Sequence, residues 1–198
     1  AARYNDLIER ESATEAQQAK GMTGLTEAVA HAYFKLLAYK DEYEVARLYT
    51  DGAFARKLHD RLSGGFKLTF HLAPPLIAQR DPNTGEPVKR EFGSWMMTVF
   101  KFLARLKGLR GTPFDIFGYS EERRTERRLI GEYEETIDLL LAGLDTDNHA
   151  LACEIAALPE TIRGFGHVKA RSIEAAAARL GELLEAYRLP RPTQSAAE

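Results

Sequence analysis

Sulfur chemistry is nearly missing from this chain. Cys153 is its single cysteine, which excludes an internal disulfide framework and any cysteine-built zinc or iron–sulfur site made by this chain alone. A reducing, cytoplasmic setting is the expectation. Long apolar runs are missing too. No stretch approaches the roughly 20 residues a membrane-spanning helix needs, and no basic-then-apolar start resembles a signal segment, so no membrane partner is expected. There is no excess of positive charge, with 27 Lys and Arg against 29 Asp and Glu, and no RNP, zinc-finger or basic-region pattern. Nucleic acid is therefore not an expected partner. A Ser-His-Asp order, a G-x-S-x-G elbow, a P-loop and a loop-borne Cys–His pair are all absent. Catalysis by this chain alone is not expected. The sequence opens Ala1-Ala2-Arg3 without Met, which reads as a piece excised from a longer polypeptide.

What is present is enough apolar residue, 44%, to bury a core, together with a charge pattern that the net value of −2 conceals. Residues 101–128 hold eight Lys and Arg against four Asp and Glu, whereas residues 131–160 hold eight Asp and Glu and no Lys or Arg. One positive and one negative face are expected.

Periodicity predicts a mainly α (α+β) fold: a helical domain with a small antiparallel β-hairpin or sheet around residues 66–92 and ordered Gly, Pro and aromatic loops. Residues 1–20 read as a connecting helix from upstream domains, its apolar patch at Tyr4, Leu7 and Ile8 and its second half with little to bury. Residues 21–188 read as a single helical domain and 189–198 as a flexible tail. Thr26 is the expected cap of a helix through Val29, Tyr33, Leu36 and Leu37. Thr50-Asp51 separates two shorter helices. Phe66, Leu68, Phe70 and Leu72 alternate with Lys67, Thr69 and His71 as a half-buried strand, and Asp81 to Gly85 reads as the turn between 76–80 and 86–92. Ser120 caps a long helix carrying Ile130, Tyr133, Ile137, Leu140 and Leu141 on one face, and Asp147 caps the next, which Pro159 stops. Ser172 caps the last, with Ile173, Ala177, Leu180, Leu184 and Tyr187 inward.

Each constellation with chemistry in it has a plain structural reading. His149 and Cys153 lie four apart on one helix face, but two ligands are too few for a metal, so a core cysteine is expected. Gly164-Phe165-Gly166-His167 contains G-x-G, and Arg163, His167 and Lys169 beside a helix start could receive an anion. The preceding strand and third glycine are lacking, which favours a tight turn with Phe165 in the core. Gly108-Leu109-Arg110-Gly111 matches the short KH clamp, yet Thr112-Pro113 follows instead of a helix. Arg123, Arg124, Arg127 and Arg128 read as a solvated, salt-bridged face.

The most informative segments are the loops. Lys107 to Tyr119 keeps Phe114, Ile116, Phe117 and Tyr119 in a stretch punctuated by Gly and Pro, which fits a loop packed in place as a rigid surface. If Phe114, Ile116, Phe117 and Phe165 all point inward, docking through them is wrong.

Five blocks together resemble the C-terminal domain of the fused indolepyruvate:ferredoxin oxidoreductases, of the 2-oxoacid:ferredoxin oxidoreductase family. They are Ala30-His31-Ala32-Tyr33-Phe34-Lys35-Leu36, Lys67 to Pro75, Lys89-Arg90-Glu91-Phe92-Gly93, Leu106 to Tyr119 and Arg163 to Lys169, and the resemblance runs from about Thr23 to Tyr187. It implies an accessory domain of an enzyme that oxidatively decarboxylates aryl-2-oxo acids to acyl-CoA. That enzyme uses thiamine diphosphate and iron–sulfur clusters and passes electrons to ferredoxin. The thiamine and cluster motifs have no counterpart here, so those cofactors are implied for the parent enzyme and none for this chain. The implied partners are the upstream catalytic domains, and ferredoxin for the holoenzyme; a homo-oligomer is left open. No catalytic or metal-ligating residue carries over. His71, Arg90, Arg110, Asp115, Phe117, Phe165, His167 and Lys169, in or beside the ordered loops, are the candidates for a ligand or interface. The alternative is a free-standing helical interaction or small-ligand module.

Overall fold

Amphipathic periodicity at 3.6 residues sets this fold, and the computed structural model describes residues 2–73, 79, 88–164 and 166–189 of it. Among the described residues there are eight α-helices and one two-stranded antiparallel sheet. The mainly helical class is thus as the periodicity predicts. The chain divides into two compact units, Ala1–Ala38 with Arg128–Glu198, and Tyr39–Arg127.

The first unit holds α1 (Ala2–Gln18), α2 (Leu25–Leu37), residues 128–142 of α6 (Glu121–Ala142), α7 (His149–Ala157) and α8 (Gly166–Arg188). Its core is Leu25, Val29 and Tyr33 of α2, Tyr133, Ile137 and Leu140 of α6, and Ile155 of α7. Three tyrosine rings stack in sequence through it, Tyr4 on Tyr33 at 5.8 Å and Tyr33 on Tyr133 at 5.9 Å. Their hydroxyls are accounted for: Tyr33 donates to Glu134, which Arg3 also grips with two bonds of 2.6 Å, and Tyr133 donates to the Ala156 carbonyl at 3.0 Å.

Helix α1 departs from expectation. Its second half buries Glu11 and Glu15 in line with Leu7, so the inner stripe continues with acid residues where apolar ones run out. Helix α2 also lacks a cap of its own. Gly24 precedes it at φ +118° with no capping side chain, and the Glu15 carboxylate takes the N–H groups of Leu25 (2.9 Å) and Thr26 (3.1 Å). Thr26 is therefore not the cap. Its hydroxyl donates to Glu15 at 2.5 Å. Two further caps move. Asn148, not Asp147, precedes α7, with its side chain bridging Asp145 N and Gly143 O. Helix α8 starts at Gly166, so Ser172 lies inside it and its hydroxyl ties back to Arg163. The α8 stripe shifts accordingly to bury Leu183 with Tyr187.

In the second unit α3 (Glu42–Thr50) packs on α5 (Met96–Arg105) and α4 (Ala53–Arg61). Strand β1 (Phe70–Leu72) pairs with β2 (Arg90–Phe92), Phe70 opposite Phe92. The ladder is shorter than the alternation suggested, because residues 66–69 form no strand; the expected turn at Asp81 to Gly85 lies outside the described residues. Phe70, Met96 and Phe100 close over Ala46, with the Tyr49 ring stacked on Phe100 at 5.0 Å. A 3-10 turn, Leu106–Leu109, leads into the aromatic loop. Ser120 caps α6 as predicted, accepting from Arg123 N at 3.3 Å.

The expected pair of charged faces does not persist. Five of the eight acidic residues in 131–160 meet cations of their own unit: Glu134 Arg3, Asp138 Arg10, Glu132 Arg128, Glu154 Arg179 and Glu160 Lys35. Sequence segregation hid this because four of the five partners come from α1, α2 and α8.

Candidate functional site

Residues 110–120 carry no helix or strand, yet the loop is fixed from inside by one carboxylate. Gly111 takes φ +73°, open to glycine without steric cost, and the turn aims its N–H at Asp115 Oδ2, 2.8 Å away. The other oxygen, Oδ1, accepts from Gly118 N at 3.0 Å. Asp115 is buried, and its charge is met by these backbone donors. The approach leaves no room for a side chain at Gly118, where a Cβ would stand 2.6 Å from Asp115 Oδ2. Burial, and then the Asp115 charge beside it, push the Tyr43 hydroxyl up to about 12.

Three further ties complete the loop. Phe117 is buried edge-on against the Tyr43 ring at 5.3 Å, the Tyr119 hydroxyl donates to Pro113 O at 2.9 Å, and Arg127 donates to Gly118 O. The loop thus alternates in and out. Asp115 and Phe117 face inward, while Phe114 is 74% exposed, Ile116 54% and Tyr119 59%. Three large apolar side chains on one internally fixed loop are held out in water. A shallow groove of about 350 Å³ beside them is lined by Thr112, Pro113, Tyr119 and Arg127, with Gly111, Asp115 and Gly118.

Arg110 and Arg123, near this loop, are engaged in holding the fold. Asp41, buried, caps α3 by accepting from Glu44 N at 2.8 Å and accepts from Arg110 Nε at 2.5 Å. That bond is the first reason the Arg110 pKa is raised. Arg110 and Arg123 both lie 5.4 Å from the centre of the Tyr39 ring. Arg123 is buried and paired with Glu126, its Nε 3.9 Å from Glu42, so it departs from the solvated face expected of the arginine run.

A second polar cluster lies in the first unit. The Glu15 carboxylate, besides its backbone and Thr26 bonds, meets His149 Nε2 at 2.7 Å. Burial alone would raise the Glu15 pKa, but the bonds from Thr26, His149 and the two N–H groups outweigh it and hold the carboxyl below the usual range. The Cys153 sulfur is 3.7 Å from His149 Nδ1 and 3.9 Å from Nε2. Being almost equidistant, it lies over the ring face; a thiol aligned for proton transfer to Nδ1 would be much farther from Nε2. Burial, then the charges of Glu15 and Glu11, raise the thiol pKa, so this Cys-His-Glu set lacks the geometry and the thiolate that nucleophilic catalysis needs. His149 is a buried core residue while Cys153 is only half-buried, and His149 has a carboxylate partner that their own helix does not contain. Among the described residues no group of three or more His, Cys, Asp or Glu could hold a metal, and no helix is long and apolar enough to cross a membrane.

The predicted site residues are distributed as follows. Arg110, Asp115 and Phe117 belong to the loop. His71 and Arg90 lie on the strand pair of the same unit, His71 opposite Glu91 and 3.9 Å from it, Arg90 donating to Gln79 at 2.8 Å. His167 and Lys169 lie in the first turn of α8 in the other unit. Phe165 is outside the described residues. The adjoining turn is tight as expected: Gly164 has φ +89° and a Cβ there would stand 2.6 Å from Val168 Cγ1.

Sequence reasoning missed Tyr39, Asp41, Tyr43, Glu11 and Glu15. Asp41 had a local signal, an Asp three residues before Glu44 at a helix start. Glu11 and Glu15 had one as well, the 7-11-15 spacing that continues the Leu7 face.

No curated protein and no solved structure matches the chain. The model of a family of unknown function, DUF6537, matches residues 1–182, nearly the whole length, and the chain belongs to that family.

Proposed function

We propose that the chain is a non-catalytic docking domain of a multidomain oxidoreductase, of the aryl-2-oxoacid:ferredoxin type that its sequence blocks resemble. The aromatic loop is its contact surface. The observation that carries the reading is the loop's two-sidedness: Asp115, Phe117 and Arg127 spend their interactions fixing the backbone, while Phe114, Ile116 and Tyr119 remain exposed on it. A loop ordered before binding loses little entropy on association, and exposed aromatics in fixed positions are typical anchors of protein interfaces. Covering Phe114 and Ile116 would stabilise docking by about 1.5–3 kcal/mol each as a ceiling. Thiamine diphosphate and the iron–sulfur clusters belong, in this reading, to the catalytic domains of the parent polypeptide.

The test is arylpyruvate- and CoA-dependent reduction of an electron acceptor by the parent polypeptide, with and without Phe114→Ser and Ile116→Ser together. A drop in turnover, with Phe102→Ser on α5 leaving it intact, supports the reading. Unchanged turnover and unchanged association of the domains would sink it.

One observation favours the small-ligand alternative. An open groove of about 490 Å³ in the first unit is lined by Tyr4, His31, Phe34 and Lys35 with Ala30, Ala38 and Glu160, an aromatic face beside the Lys35 ammonium, which donates to Glu160 O at 2.7 Å. A rise in melting temperature with excess CoA or arylpyruvate, lost in Phe34→Ala, would support it.

A further inference from the structure

Glu11 is the most anomalous side chain of the first unit. It is fully buried, and neither oxygen of its carboxyl has a hydrogen-bond partner. An ionised carboxylate so placed bears a desolvation cost that its surroundings offset only in part. The groups that face it are Glu15 on α1 itself, Thr26 of α2, Tyr133 of α6, and His149 and Cys153 of α7. None of them hydrogen-bonds to it, although the nearby Thr26 hydroxyl and His149 favour its ionised form. The Thr26 hydroxyl and His149 Nε2 both turn to Glu15, the Tyr133 hydroxyl donates to Ala156 O, and the Cys153 sulfur lies over the imidazole. Glu15, ionised and satisfied, adds a like charge.

We propose that Glu11 is held as the neutral acid in the folded unit and that its ionisation releases α1 from α2 and α7, so that α1 is a latch that loosens as pH rises through neutrality.

Burial first, with the neighbouring Glu15 charge, outweighs the opposing pull of the Thr26 hydroxyl and His149 and raises the Glu11 pKa to about 7 against an ordinary 4.5. A raised carboxyl pKa means that its stabilising contribution is complete below about 4.5 and is lost as pH climbs through about 7. Glu15 works in the opposite sense, its contribution present above the ordinary carboxylate range and lost in acid. The two carboxyls on one helix face therefore give the latch a closed window in mildly acidic solution.

Hydrogen exchange of α1 amides at pH 6 and pH 8, corrected for intrinsic rates, tests this. The opening equilibrium of α1 should rise about ten-fold over that interval in the wild-type chain and stay flat in Glu11→Gln, which keeps the shape and cannot ionise. The same pH dependence in both proteins would overturn the proposal. So would a rise spread evenly over α6, α7 and α8, since that is loss of the whole unit and not release of one helix. Titration of the wild-type Glu11 carboxyl by carbon NMR needs no variant: a midpoint near 7 supports the neutral acid, and one in the ordinary carboxylate range overturns it.

Discussion

Removing the Asp115 carboxylate should unfasten the aromatic loop at both ends, and the cost can be worked from its contacts. Asp115→Ala deletes two charge-assisted bonds, to Gly111 N at 2.8 Å and to Gly118 N at 3.0 Å. Gly118 N keeps a second acceptor, the Asp115 carbonyl, also at 3.0 Å, so the Gly111 donor and the Tyr43 hydroxyl are the groups that lose the carboxylate. Bonds to charged groups contribute about 1.5–3 kcal/mol each, and the retained acceptor places the sum near the low end, about 3 kcal/mol. Burial of the charge is relieved at the same time, which offsets part of the loss. The assay is urea unfolding followed by the fluorescence of Trp95, the chain's sole tryptophan. It belongs to the same unit and packs edge-on to Phe92 at 6.0 Å. With slopes of about 1–3 kcal/mol per molar urea, the midpoint should fall by about 1–3 M. Asp115→Asn, which retains one acceptor oxygen, should fall between. A shift below about 0.5 kcal/mol for the alanine variant, within the range of ordinary surface changes, would refute the idea that this carboxylate organises the loop.

Two further changes probe the first unit. Glu15→Ala removes the acceptor for Leu25 N, Thr26 N, the Thr26 hydroxyl and His149, and should lower stability by about 3–5 kcal/mol in thermal or urea unfolding; wild-type-like melting would contradict its role as the cap of α2. Gly164→Ala meets both a φ of +89° and a 2.6 Å contact with Val168. A loss of about 2 kcal/mol or more is expected, and adding Val168→Ala should restore only the contact part, leaving the strain of a positive φ.

Local chemistry was legible in the sequence where it acts locally. Residues 121–142 show their inner face through Ile130, Tyr133 and Ile137 and their start through Ser120, because period and cap both lie within the helix itself. The loop was legible as an ordered surface because its aromatics have no other reason to sit among Gly and Pro, and its two sides separate as inward Phe117 and outward Phe114. What the sequence hid is supplied from afar. Glu15 caps a helix that begins ten residues later and pairs with His149 across 134 positions, so Thr26 took the cap role by proximity alone. Arg110 looked available for a ligand or interface, but it is bonded to Asp41, 69 positions away. The acid-rich stretch at 131–160 likewise looked uncompensated, most of its cations lying on α1, α2 and α8.

The docking claim is tested most directly by side-chain footprinting with hydroxyl radicals on the parent polypeptide and on this chain alone. The account predicts that Phe114, Ile116 and Tyr119 are strongly labelled in the isolated chain and protected in the parent, while Phe102, equally exposed on α5 at 61%, keeps its labelling in both. Equal labelling of the three loop residues in both samples would contradict it, because a surface left open to water in the proposed assembly is not its docking face.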